Sequence, residues 1–134
     1  MNEQGTVKPK TIMVKTFRDL IVWQKAMDLI IMVYRISSGF PKDELYALTS
    51  QIRRAAVSIP SNISEGFGRH STTDYLRFLQ IALGSLYELQ IQLEIAKRLK
   101  YISNENYNHT DEAAKEVERM LSAMIRKLQT KIAS

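Results

Sequence analysis

The sequence has no cysteine and only two histidines among its 134 residues. Without thiols there is no disulfide framework and no thiolate metal site. Two histidines leave little for imidazole-assisted nucleophilic chemistry. The Glu-x-x-His pairs of carboxylate-bridged metal bundles are missing, as are HExxH, G-x-S-x-G and a Gly-rich phosphate loop; EGFGRH (Glu65 to His70) lacks the lysine and the spacing of one. His70 stands beside a candidate helix cap and His109 near the start of a segment, and both read as solvated surface groups. No pattern calls for a cofactor or a metal. Long apolar runs are absent too: LIIMVY, Leu29 to Tyr34, is far short of the ~20 residues that cross a bilayer. The opening MNEQGTVKPKTIMVK has no apolar core of signal-peptide length. These absences point to a cytoplasmic protein with no membrane role and no enzymatic activity.

What is present is ordinary for a soluble domain: 45% apolar residues and 25% charged. The length suits one domain. The net charge is +5, and Lys8, Lys10, Lys15 and Arg18 stand against Glu3 alone in the first eighteen residues, so most of the surplus lies in a tail. Residues 1–16 are therefore expected to be a flexible basic tail and residues 17–134 the folded domain.

Glycine (five) and proline (three) are scarce and fall in few places. Gly39 with Pro41, Gly66 with Gly68, and the stretch KYISNEN break the chain into four segments, all with helical periodicity. From Asp19 to Ser37 two apolar stripes run side by side: Leu20, Trp23, Met27, Ile30 and Tyr34, and Val22, Ala26, Leu29, Val33 and Ile36. Gly39 suits a left-handed cap after it. The second segment runs from Asp43 to Gly66, its start either capped by Asp43 or preceded by a separate PKDEL turn with Thr49 as cap. Ser71 caps the third, with Asp74 as a capping-box partner; Tyr75, Leu79, Ala82, Leu86, Leu89, Leu93 and Ala96 follow on one face. The fourth opens at Ser103 and carries Ala114, Val117, Leu121, Met124 and Leu128 to about Gln129–Lys131. Four long helices on short links predict an all-α, antiparallel up-down-up-down four-helix bundle. The first and third segments hold more apolar surface than one core needs, which points to a homo-oligomer.

Pro60 lies inside the second segment. A loop there would reset the phase of the apolar stripe, yet Ile52, Ala56, Ile59, Ile63 and Phe67 stay on one face through it. The stretch is expected to be one helix kinked at Pro60. Proline in a helix interior costs about 3 kcal/mol. Ser58, Ser61 and Ser64 can offset part of that by bonding nearby carbonyls, while Asn62 and Glu65 are placed to reach a neighbouring helix or subunit.

Arg53 and Arg54, Arg69, and the end-of-helix set Lys97, Arg98 and Lys100 are the candidate nucleic-acid contacts, with the tail lysines beside them. The turn after the second helix and the end of the third lie at opposite ends of an up-down bundle, so Arg69 and the Lys97 set form no single patch in one copy. The competing reading gives Arg53 and Arg54 to a solvated face with intersubunit ion pairs. Tyr46, Tyr75, Tyr87, Tyr101 and Tyr107 are expected in the core or an interface.

Three stretches, FRDLIVWQKAMDL (Phe17 to Leu29), FPKDELYALTSQIRRAAVSIPSNISEGFGR (Phe40 to Arg69) and YLRFLQIALGSLYELQIQLEIAKRLKYIS (Tyr75 to Ser103), resemble the four-helix-bundle family first noted as reading frames in intervening sequences of bacterial 23S rRNA genes. The resemblance covers about residues 17 to 130. Arg53 and Arg54 match the family's double arginine, and Pro60, Asn62, Glu65 and Gly66 its Pro-x-Asn-x-x-Glu-Gly core; Ala47 departs, standing where glycine is frequent. The resemblance implies a relation to the accessory protein of diversity-generating retroelements, a homopentameric barrel of bundles that binds nucleic acid and a reverse transcriptase. It implies a pentamer, a link to rRNA or the ribosome, and no catalytic residues. Ser58, Pro60, Asn62, Glu65 and Gly66 then form a helix-kink and interface motif.

Three functional readings follow. The first is a non-enzymatic oligomer binding RNA or other nucleic acid through basic surface residues. The second is a scaffold for protein partners with no nucleic-acid role. The third and least favoured is a nucleotide-handling enzyme with interfacial sites, Arg53 and Arg54 holding phosphate.

Overall fold

One apolar stripe of each helix buries against the others, and the buried positions fix which helices meet; the second stripe of the first segment leaves Met27 and Tyr34 exposed. The computed structural model of the chain describes residues 13–134; most of the expected tail, with Lys8 and Lys10, lies outside them. The described residues form four helices and no strand: α1 Ile21–Ser37, α2 Leu48–Phe67, α3 Thr72–Arg98 and α4 Asn104–Ala133. Short 3-10 turns, Phe17–Asp19 and Lys42–Glu44, precede α1 and α2. Each helix packs on its neighbours in sequence and α1 closes against α4, while the diagonal pairs make no contact. Val22, Ala26, Leu29 and Val33 of α1, Ile52, Ala56, Ile59 and Ile63 of α2, Leu79, Leu86 and Leu93 of α3, and Ala114, Val117 and Leu121 of α4 form the core.

The helix starts follow from their caps. Thr16 Oγ1 accepts from Arg18 N–H, and the Asp19 carboxylate accepts from the Lys15 and Thr16 N–H groups. The bond from Thr16, then that from Lys15, holds the Asp19 carboxyl below the usual carboxylate range. Residues 15 and 16 thus belong to the first turn. Ser71 caps α3 through Asp74 N–H at 2.9 Å and Ser103 caps α4 through Asn106 N–H at 3.1 Å. The Asp74 carboxylate does not complete a capping box; it faces the Arg77 guanidinium at 3.7 Å. Thr49 is no cap: it is buried inside α2, and the separate Lys42–Glu44 turn supplies Glu44, whose carboxylate accepts from Leu48 N–H at 3.3 Å.

The left-handed residue also stands elsewhere than expected. No glycine among the described residues has positive φ, so Gly39 is not a left-handed cap; Lys100 is, at φ 62°. Beyond it Tyr101 N–H donates to Ala96 O at 2.8 Å, and Lys100 N–H to Lys97 O at 3.0 Å, the paired bonds of a Schellman ending. A side chain in that conformation costs about 1–2 kcal/mol. Lys100→Gly is expected to stabilise the chain by about 1 kcal/mol after glycine's unfolded-state entropy is set against it. Thermal melts followed by circular dichroism check this, and a lower melting temperature contradicts it. Tyr101 itself ties the two links at this end together. Its ring lies 5.6 Å from that of Phe40, and its hydroxyl donates to Glu44 Oε2 at 2.8 Å, which with its burial raises the phenol above its usual range.

α2 runs through Pro60 unbroken. Ser61 Oγ donates to Val57 O at 2.8 Å and Ser64 Oγ to Pro60 O at 2.6 Å, so these two hydroxyls serve nearby carbonyls as expected, though neither is the Ala56 carbonyl that Pro60 deprives of its donor. Ser58 instead reaches across to α3, Oγ to Ser85 Oγ at 2.8 Å, and Asn62 turns back along its own helix to Ser58 O, also at 2.8 Å. Further along, Gly66 lies against Tyr75 and Phe78. Followed forward, α2 therefore meets α3 followed backward.

Candidate nucleic-acid interface

A phosphate contact needs a cation that faces solvent and is not already held by an acid. By that standard the six candidate cations divide. Arg53 projects from α2 onto the C-terminal end of α1. Its Nε donates to Ser37 Oγ at 2.8 Å, its Nη2 to Tyr34 O at 3.4 Å, and its guanidinium lies 4.6 Å from the Tyr34 ring centroid. There it complements the partial negative charge of a helix end; its work is within the fold. Arg54, one position on and about 100° around the helix, is exposed and makes no ion pair among the described residues. Both line one groove on the α1–α2 side with Tyr34, Tyr46 and Val57.

Arg69 pairs with Glu65 at 2.8 Å and stacks on the Phe78 ring, which Arg77 also covers. Arg98 pairs with Glu94 at 2.6 Å, and Lys97 sits 4.5 Å over the Tyr107 ring. Lys100 is exposed in its strained turn. Glu65 is thus engaged within its own chain, like Asn62. Exposed pairs of this kind are weak, about 0–1 kcal/mol, but each lowers the net charge a phosphate would meet.

Another set of cations was missed from the sequence. Arg119, Arg126, Lys127 and Lys131 lie on the second half of α4, all exposed, and none pairs with an acid among the described residues. No Asp or Glu occurs after Glu118. The first half of the same helix carries Glu105, Asp111, Glu112, Glu116 and Glu118. Taken over the whole segment five acids cancel five bases, Lys115 included, which hid the asymmetry; halving the helix exposes it.

Of the five tyrosines expected in the core or an interface, Tyr75, Tyr101 and Tyr107 pack partly buried against the core, while Tyr46, 92% exposed, and Tyr87 stand outside it. Burial raises the Tyr75 hydroxyl above its usual range. His70 and His109 are exposed, and no group of three His, Asp or Glu among the described residues is placed to hold a metal ion. No helix of the described residues is long and apolar enough to cross a membrane.

The 23S rRNA-intervening sequence protein family matches residues 18–123, spanning α1, α2, α3 and most of α4. The chain belongs to that family. A crystal structure from Bacteroides thetaiotaomicron, of a protein with unknown function from the S23 ribosomal protein family, is similar to this intervening-sequence protein with a TM-score of 0.71 at 26% identity. The match covers 78% of this chain and 98% of that one. No curated protein matches. The family match stops at residue 123, so three of the four unpaired cations of α4, Arg126, Lys127 and Lys131, fall beyond it.

Proposed function

We propose that this intervening-sequence protein is a non-enzymatic, self-assembling helical protein of the cytoplasm that holds RNA, or another nucleic acid, by its phosphates. The observation that carries the reading is the acid-free second half of α4, where Arg119, Arg126, Lys127 and Lys131 face solvent. Arg54, Lys100 and the tail lysines add to it. Such contacts recognise the backbone and carry little sequence information. The family's description supplies 23S rRNA as the first probe. The test is titration of the full chain with labelled single-stranded RNA at 50 and 200 mM salt. Binding at low salt that weakens steeply supports the reading, and no binding at low salt, or binding indifferent to salt, removes it.

One observation favours the scaffold reading: Arg69 and Arg98 are spent on Glu65 and Glu94, so two of the sequence's six candidate contacts are neutralised. The same titration separates the two readings.

A further inference from the structure

The four cations on the second half of α4 stand in two rows. At about 100° per residue, Arg119 and Arg126 lie about 20° apart around the helix, and Lys127 and Lys131 lie about 40° apart on a second line about 110° away. Between the rows are Ala123 and Thr130, both short and uncharged, and all six positions are exposed. The opposite face is fixed in the core by Val117, Leu121 and Ile125. From Arg119 to Lys131 the rows run about 18 Å along the axis. Before Arg119 the same sector turns acidic, with Glu112 and Glu116. Glu116 is engaged by Lys25 at 3.5 Å, so it does not hold Arg119.

Two features decide which nucleic acid fits this face. Single strands are held by a basic track together with rings on which the bases stack. After His109, α4 holds no aromatic side chain. The exposed tyrosines lie elsewhere: Tyr34 and Tyr46 line the groove between α1 and α2, and Tyr87 stands among Glu94, Asp111 and Glu118. A strand laid on α4 would meet charge and nothing to stack on. Two separate rows of cations with a low strip between them suit two rows of phosphates with a groove between them. The depth of that groove is the second feature. The major groove of B-form DNA is about 8.5 Å deep and takes a helix that projects into it. Because α4 is embedded along its inner side, it offers only an outer face. The minor groove of A-form RNA is wide and shallow, and a face of this kind can cover it. We propose that the ligand of α4 is double-stranded RNA, with its minor groove over Ala123 and Thr130 and one row of cations on the phosphates of each strand. The inference rests on the phosphate-binding reading above and adds the form of the nucleic acid. Glu112 and Glu116 bound the contact, since they would repel any phosphate placed further toward the start of the helix.

Fluorescence anisotropy of the full chain at 50 mM salt tests this with three labelled probes: an RNA hairpin, an unstructured RNA strand of the same length, and a DNA hairpin of the same sequence. The RNA hairpin is expected to bind about tenfold tighter than the strand, the worth of roughly one missing base stack. It is also expected to bind tighter than the DNA hairpin. Ala123→Trp places a ring between the rows, and should weaken the RNA hairpin without weakening the strand. The position is exposed, so the bundle is expected to fold, as circular dichroism will show; if it does not, Thr130→Trp fills the same strip. A strand that binds as tightly as the RNA hairpin overturns the inference. A DNA hairpin that matches the RNA hairpin overturns the seat in a shallow groove. A tryptophan variant that folds and keeps its full affinity for the RNA hairpin overturns the placement over Ala123 and Thr130. If neither RNA binds at 50 mM salt, the phosphate-binding reading itself is removed, and this inference with it.

Discussion

Replacing Arg119, Arg126, Lys127 and Lys131 with glutamine is expected to remove most of the salt dependence of RNA binding. Each phosphate neutralised on a single strand contributes about −0.7 to the slope of log K against log salt. Four contacts contribute about −2.8. Between 50 and 200 mM salt that slope weakens binding roughly 50-fold. The wild-type chain should lose at least that much, and the fourfold variant should lose far less from a weaker start. All four side chains are exposed, so the fold should survive within about half a kcal/mol for each. The last of them, near the C-terminal end of α4, also complement the helix dipole, and a small fall in melting temperature is expected from that. The paired comparison is Arg69→Gln with Arg98→Gln. These cations are already held by Glu65 and Glu94, so the slope should barely change. If the second pair flattens the slope and the first set does not, the binding surface lies where the sequence first placed it, and α4 is only a solvated helix.

The four segments were legible because their apolar spacing persists over many turns, and because Ser71 and Ser103 announce helix starts that the structure keeps. The passage through Pro60 was legible for the same reason, since phase cannot survive a loop. Position within a turn was not. Gly39 was assigned a left-handed role by type alone, whereas that conformation fell to Lys100, where the link from α3 to α4 needs it. The helix starts were misread where capping passes to a residue outside the helix: Glu44, not Thr49, answers the first amide of α2. Among the cations, residue type and spacing showed where charge lies along the chain. Whether a charge is free depends on neighbours three or four residues away and on rings from other helices. That placed Arg53 over Tyr34 and Lys97 over Tyr107. Tyr46 shows the converse, an aromatic residue in a link where no helical face dictates burial.

Two glycine-to-alanine substitutions should move stability in opposite directions, by the same chemistry in different space. A Cβ on Gly66 would stand 2.7 Å from Phe78 Cβ, 3.0 Å from Tyr75 Cδ1 and 3.3 Å from Tyr75 O. Two of those atoms are fixed to the α3 backbone or are part of it, so rotamer changes cannot relieve the clash and α2 must move away from α3. Overpacking of this kind costs about 3 kcal/mol at the upper end of its range. Alanine's better helix propensity returns about 1 kcal/mol. Gly66→Ala is therefore expected to destabilise the chain by about 2 kcal/mol. A Cβ on Gly84, mid-helix in α3, meets nothing within 4 Å. Only the propensity gain remains, and Gly84→Ala should stabilise by about 1 kcal/mol. Denaturant or thermal unfolding at one fixed protein concentration measures both, since association adds to apparent stability. Equal shifts at the two glycines would mean that α2 and α3 yield easily, and that the close approach at Gly66 holds nothing in place.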